Sequence, residues 1–117
     1  MARVLILEDE ADLVVLYRET LERIGHVVWG AYADPREALA RVDEGGSTPE
    51  VILLDERLGH LSGSYYIPEL KKAFPRARII LATADPEVAE SAVLLGADLA
   101  KQKPFSLKEL SLMISPQ

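Results

Sequence analysis

Five polar residues close short strand-like runs: Glu8 and Asp9 after Arg3–Leu7, Asp55 after Val51–Leu54, Thr83 after Arg78–Ala82, and Lys103 after Leu99–Gln102. Brought together, they could do phosphoryl chemistry. Three carboxylates held close repel one another and require a cation. Oxygen ligands with room for water suit Mg²⁺ better than zinc. A lysine ammonium and a threonine hydroxyl across from them would complete a site for a tetrahedral dianion. There a phosphoryl group could pass onto a carboxylate nucleophile. Each residue also has an ordinary account. Asp55 could simply turn the chain after a strand, and Glu8-Asp9-Glu10 could be negative charge at a helix N-terminus. Thr83 could be a strand-end hydroxyl, and Lys103 a solvated lysine with Lys101 as its rival. What favours chemistry is that all of them fall to one edge of the same sheet.

The intervals from Asp9 to Asp55, Asp55 to Thr83 and Thr83 to Lys103 are 46, 28 and 20 residues. Those are roughly two, one and one strand–helix units. Val51–Leu54 is a continuous apolar run, which suits a strand buried on both faces, and Arg3–Leu7 and Arg78–Ala82 read alike. Val27–Ala31 and Leu99–Gln102 complete five strands. Between them the period turns helical. Leu13, Leu16, Tyr17, Leu21 and Ile24 form a stripe that stops at Gly25. Asp34-Pro35-Arg36-Glu37 opens a helix carrying Ala38, Leu39 and Val42 as far as Gly45-Gly46. Glu56 to Gly63 reads as a loop, followed by a helix through Ile67, Leu70, Lys71 and Phe74. Asp85-Pro86 opens a helix to Leu95, and Ser106 with Glu109 forms a capping box for a last one. Strict alternation with short connections predicts a parallel sheet with helices on both faces. A switch point between the first and third strands would open a crevice at their carboxyl ends.

Composition works mainly by exclusion. A chain of 117 residues makes one domain with a real core, and 49% hydrophobic against 27% charged residues is globular, not disordered. No apolar run approaches a membrane span, and the start is too short for a signal peptide, so nothing is expected before the fold. The absence of cysteine excludes disulfides and thiolate metal sites and suits a reducing cytoplasm. A net charge of −6 without a basic stripe excludes direct nucleic-acid binding by phosphate neutralisation.

Four stretches carry a further signal. They are Val4-Leu5-Ile6-Leu7-Glu8-Asp9-Glu10, Val51-Ile52-Leu53-Leu54-Asp55 with Ser62-Gly63, Ile79-Ile80-Leu81-Ala82-Thr83-Ala84, and Gly96-Ala97-Asp98 running to Lys103-Pro104-Phe105. In them the sequence resembles the receiver domains of two-component response regulators, the CheY-like family, over nearly its whole length. The resemblance implies a doubly wound, flavodoxin-like (βα)5 fold with sheet order 2-1-3-4-5 and a single receiver domain over residues 1–117. It implies that Asp55 accepts a phosphoryl group from a histidine kinase or phosphotransfer protein. Mg²⁺ would be bound by Asp9 directly, by Glu8 through water, by Asp55 and by the backbone carbonyl of Arg57. Thr83 and Lys103 would contact phosphoryl oxygens, and Lys103–Pro104 would be cis. Such a domain is cytoplasmic and turns over no external substrate; it catalyses its own phosphorylation and dephosphorylation. Its output is altered protein contact, on the face of the last two helices and the strand between them, or a phosphorylation-dependent dimer.

Departures from the family pattern bear on each of these expectations. Glu8 replaces the commoner aspartate, and its extra methylene should shift the metal or a water. Gly59 stands where many members have proline, so the loop after Asp55 should be looser. Ala100 stands where an aromatic ring usually turns inward, and a methyl group cannot report a rotamer. The alternatives are a pseudo-receiver that keeps the fold without phosphate switching, or a receiver fragment of a larger transcriptional regulator or hybrid kinase. An aspartate-nucleophile phosphatase is disfavoured because Arg57 fills the place of its usual acid, and a flavodoxin because the loop after the first strand is acidic. Arg57 and Asp85 would either pair across the mouth of the site or both point to solvent, and Val15, off the helical stripe, is either a docking residue or one of the isolated exposed apolar side chains that are normal.

Overall fold

The apolar runs become strands for the reason they are apolar: both faces are covered. The structure, a computed structural model, describes residues 1–115; Pro116 and Gln117, the end of the expected domain, lie outside the described residues. Strands β1 (Arg3–Leu7), β2 (Val27–Tyr32), β3 (Val51–Asp55), β6 (Arg78–Thr83) and β7 (Leu99–Gln102) form one parallel sheet in the order β2-β1-β3-β6-β7. Counting only these five, that is the expected 2-1-3-4-5. Helices α2 (Pro35–Ala40), α3 (Ile67–Ala73) and α4 (Pro86–Leu94) cover one face, packing on Leu5, Leu7, Ile52, Leu54, Ile79 and Leu81. Helices α1 (Ala11–Arg23) and α5 (Leu107–Ile114) cover the other, where Tyr17, Leu21, Leu110 and Met113 meet Val4, Ile6, Leu53 and Ile80. Consecutive residues of β1 and β3 thus enter different cores, which is why these strands show no polar alternation.

Three expectations need correcting. The α1 stripe is narrower than its spacing implies: Leu16 and Ile24 are exposed, and Tyr17 and Leu21 carry the contact with Leu13 and Val14 beside them. Ile24 is the C-cap, past the last helical residue, so helical spacing no longer governs it. The second helix ends at Ala40 and continues as a 3-10 turn, Arg41–Glu44, which leaves Val42 exposed. Arg41 explains the tightening: its guanidinium lies 3.6 Å over the Trp29 ring and donates to the Trp29 carbonyl at 2.5 Å. The supposed loop after Asp55 contains a two-stranded hairpin, β4 (Arg57–Leu58) and β5 (Leu61–Ser62), followed by a 3-10 turn over Gly63–Tyr66. Val15 is exposed, as expected.

The end of the sheet away from Asp55 holds a titratable tie. His26 Nδ1 accepts from the Ala2 N–H at 2.9 Å, and Nε2 lies 2.5 Å from the Ser115 hydroxyl. An accepting Nδ1 assigns the ring proton to Nε2, so the fold needs neutral imidazole. Burial lowers the His26 pKa below the usual histidine value; the nearby amino terminus adds to this and Glu50 opposes it. A folded pKa below the unfolded one gives stability that is complete above the ordinary histidine range and is lost as the pH falls through it. The stability advantage of the wild type over His26→Gln, read by thermal unfolding, is therefore expected to shrink between about pH 7.5 and about pH 5.5. An advantage that is constant across that window would contradict this.

Candidate functional site

Because β3 is apolar to its penultimate residue, it carries Asp55 into the interior before the chain turns. The carboxylate is 7% exposed, at the bottom of a cleft of about 590 Å³. Register supplies its neighbours. Asp55 pairs with Ala82, so the buried Thr83 stands one residue further along β6. Leu7 pairs with Leu54, which brings the buried Glu8 beside Asp55. Thr83 pairs with Gln102, and Lys103 follows just past that rung, on a cis Lys103–Pro104 peptide, lining the cleft. Lys103 Nζ forms an ion pair with Asp55 Oδ1 and lies 3.8 Å from Glu8 Oε1. Its rival Lys101 is instead paired with Glu109 at 2.5 Å.

The electrostatics are those of a site short of positive charge. Glu8 Oε2 accepts from the N–H groups of Asp9 and Glu10 at 3.1 and 3.2 Å, which also serves the ordinary role of charge at the start of α1. Asp55 Oδ2 accepts from the Arg57 N–H at 3.0 Å. The remaining oxygens, Glu8 Oε1 and Asp55 Oδ1, are buried; Glu8 Oε1 makes no hydrogen bond, and Asp55 Oδ1 is met by Lys103. Burial pushes the Glu8 carboxyl up to about 7, with the Asp55 charge adding to it against the Glu10 N–H and Lys103. Burial likewise raises Asp55 above the usual carboxylate range, outweighing Lys103 and the Arg57 N–H. For Lys103 burial acts downward, but Asp55 and Glu8 more than reverse it. Two buried carboxylates, one with an unbonded oxygen, fit a hard divalent cation, which would stabilise their charged forms.

The expected trio of carboxylates divides into this buried pair and a rim residue. Asp9 is exposed and its Oδ2 accepts from the Gly59 N–H at 3.0 Å. Among the described residues no three His, Cys, Asp or Glu side chains are grouped tightly enough to hold a metal by themselves. A cation here would therefore draw on backbone oxygen and water as well. The hairpin supplies one such oxygen. Bonded and non-bonded pairs alternate along an antiparallel ladder. The Gly63 N–H donates to the Glu56 carbonyl at 2.7 Å, marking that pair as bonded. Arg57–Ser62, the next pair, is then non-bonded, and the Arg57 carbonyl is left without a ladder partner.

Gly59 occupies a defined turn in this segment. At φ +63°, with His60 at negative φ, it occupies the first place of a two-residue turn where glycine is favoured. Proline could take neither that φ nor the bond to Asp9, since it has no N–H. The Arg57–Asp85 pair is absent among the described residues. Asp85 Oδ1 accepts from the Glu87 N–H at 2.9 Å as the N-cap of α4, and the orphan amides of a helix start compete well for a carboxylate. Thr83 Oγ1 accepts from the Asp85 N–H at 3.1 Å, which leaves its own proton free to donate. Sequence reasoning missed Glu56, whose carboxylate binds the hairpin, and the role of Asp98. Asp98 Oδ2 accepts from Lys71 Nζ at 2.7 Å and the Ile79 N–H at 2.8 Å, tying α3 to the start of β6.

Comparison with known proteins agrees with this architecture. The response regulator receiver domain model matches residues 4–115. The alkaline phosphatase synthesis transcriptional regulatory protein PhoP of Bacillus subtilis is 32% identical over 111 residues, covering 93% of this chain and 45% of PhoP. The chain thus spans less than half the length of that regulator. The chemotaxis protein CheY of Thermotoga maritima is 28% identical over 106 residues, covering 91% of this chain and 84% of CheY. A solved response regulator of Burkholderia pseudomallei, with a phosphorylated aspartic acid, calcium ion and citrate, matches with a TM-score of 0.85 at 30% identity. That likeness covers 99% of this chain and 68% of the other. With the family model matched over nearly its whole length, and the sheet order and cleft to go with it, the chain belongs to the response regulator receiver domains of two-component signalling.

Proposed function

We propose that this receiver domain, taken as one unit over residues 1–117, is phosphorylated on Asp55 by a histidine kinase or phosphotransfer protein in a Mg²⁺-dependent reaction. One observation carries the reading. Asp55 has one oxygen fixed by the Arg57 N–H, while the other is held in an ion pair with Lys103, and both residues line the cleft. Oδ1 is the attacking atom: its bond to phosphorus forms as the donor's bond to phosphorus breaks. The Lys103 ammonium, already paired with Oδ1, passes to a phosphoryl oxygen. The Thr83 hydroxyl donates to another. Asp9 directly, Glu8 through water, Asp55 and the Arg57 carbonyl would hold Mg²⁺, which when bound neutralises the crowded carboxylates and the phosphoryl oxygens.

The modification adds roughly −1.5 to −2 charges at one point of the cleft. Ala100, paired with Leu81 and packed against the core, has no ring to turn. The response runs instead through backbone: Thr83 moving toward the phosphoryl group pulls on the Asp85 N–H it holds, and Asp85 caps α4. The output face is α4, β7 and α5, where Val93 and Leu94 of α4 and Leu112 of α5 are exposed, Leu94 at 88%. A downstream protein or a phosphorylation-dependent second copy would dock there. A cytoplasmic setting fits a chain without cysteine in which no described helix is long and apolar enough to cross a membrane. Incubation with acetyl phosphate and Mg²⁺ is expected to add the mass of one phosphoryl group, located on Asp55 by peptide mapping. No gain in mass would favour the pseudo-receiver reading to which Ala100 points.

A further inference from the structure

Asp55 is followed by a second carboxylate whose polar atoms turn to the hairpin beside it. Glu56 Oε2 accepts from the Ser62 hydroxyl at 2.6 Å, and Oε1 accepts from the Ser64 N–H at 2.8 Å. Its backbone is equally engaged. The N–H donates to the Ala82 carbonyl of β6 at 2.9 Å, and the carbonyl accepts from the Gly63 N–H at 2.7 Å. One residue thus joins the end of β3, β6 and the far side of the hairpin. The hairpin has only two rungs, Arg57–Ser62 and Leu58–Leu61, too few to hold themselves. Yet it carries the Arg57 carbonyl, left without a ladder partner, and the Gly59 amide bonded to Asp9.

We propose that Glu56 is a positioning residue for the cation: by tying Ser62 and Ser64 it holds the hairpin in the register that fixes the Arg57 carbonyl and keeps the Gly59 amide on Asp9. This rests on reading the cleft as a Mg²⁺-dependent phosphorylation site. Metal sites lose about 10–100-fold in affinity when residues that orient their ligands are removed.

The test titrates Mg²⁺ alone, by calorimetry, into the wild type, Glu56→Ala, Glu56→Gln and Ser62→Ala. Thermal midpoints and hydrogen exchange at the Gly59 amide are measured alongside. Glu56→Ala should bind Mg²⁺ about ten-fold more weakly and exchange the Gly59 amide faster. Glu56→Gln keeps one acceptor for the Ser64 N–H and offers an amide N–H that the Ser62 hydroxyl can accept by rotating, but loses the charge, and should stay within about three-fold of the wild type. Ser62→Ala removes one strap and should fall about three-fold, which carries the test if Glu56→Ala does not fold. Wild-type affinity in Glu56→Ala, or a lowered midpoint with unchanged affinity, would overturn the proposal. So would a Glu56→Gln as weak as Glu56→Ala, because charge and not position would then be the cause. A wild type that binds no Mg²⁺ would sink the reading of the cleft itself. The strap is then judged on Gly59 exchange, and an unchanged rate in Glu56→Ala rejects it.

Discussion

Asp55→Asn is expected to take up no phosphoryl group from acetyl phosphate and Mg²⁺, and in the absence of divalent ions to unfold at a higher urea concentration than the wild type. The first half is a matter of nucleophilicity: an amide keeps the shape of the side chain and loses the attacking oxyanion. The second follows from burial. Asp55 and Glu8 are both buried and both raised in pKa chiefly by desolvation, and Glu8 carries an oxygen without a hydrogen bond. Among the described residues Lys103 is the one cation paired with the two carboxylates, at 3.8 Å from Glu8. Removing one charge leaves one carboxylate for one ammonium, and an Asn amide N–H becomes available to Glu8. A gain of about 1 kcal/mol is the expected scale for relieving one such buried group. With saturating Mg²⁺ the difference should narrow or reverse, since a ligand that binds only the folded wild type stabilises it. A lower midpoint for the variant without metal would show that the Lys103–Asp55 pair, not the crowding of carboxylates, dominates this site.

The strands and their order were legible because each carries a strong local signal. Val51–Leu54 can hardly be anything but a strand buried on both faces, and Asp34-Pro35, Asp85-Pro86 and Ser106…Glu109 mark helix starts by their own hydrogen bonds. Glu8, Asp9, Asp55, Thr83 and Lys103 were legible for a related reason: a parallel sheet delivers strand ends to one edge. The hairpin was not. Arg57-Leu58 and Leu61-Ser62 are two residues each, too short for any period to show. Gly59 reads as looseness unless the turn is known to need a positive φ. Glu56 resembles any other glutamate until Ser62 and Ser64 are folded back onto it. Asp85 was offered a partner across the cleft although its own sequence, Asp-Pro before a helix, already committed it to capping. A local cap of that kind orders less chain than a long-range ion pair, so the carboxylate goes to the α4 amides.

The largest expected loss of stability belongs to Gly63→Ala. A Cβ built on Gly63 would sit 2.1 Å from the Asp55 carbonyl oxygen, 3.0 Å from its carbon and 3.1 Å from Leu54 Cδ1. Two of these are backbone atoms of β3, which is bonded on one side to β1 and on the other to β6, so they cannot step aside alone. Nor can Gly63 withdraw freely, because its N–H is held by the Glu56 carbonyl at 2.7 Å. The added methyl group must either break that bond or displace the strand that carries the acceptor. A cost of roughly 2–4 kcal/mol is expected, at the upper end for overpacking because backbone is what must yield. Gly45→Ala gives the contrast. Gly45 has φ +74° and ψ −170°, backbone that glycine alone adopts readily, and nothing within 4 Å of its Cβ, so only backbone strain of about 1–3 kcal/mol opposes the substitution. Urea midpoints should therefore fall further for Gly63→Ala than for Gly45→Ala. Only Gly63→Ala should also slow uptake from acetyl phosphate, by tenfold or more on the scale of about 10²-fold for an ångström of misplacement. Equal midpoints for the two variants would mean that β3 gives way to a methyl group at little cost. The rigidity assigned to the base of the cleft would then be wrong.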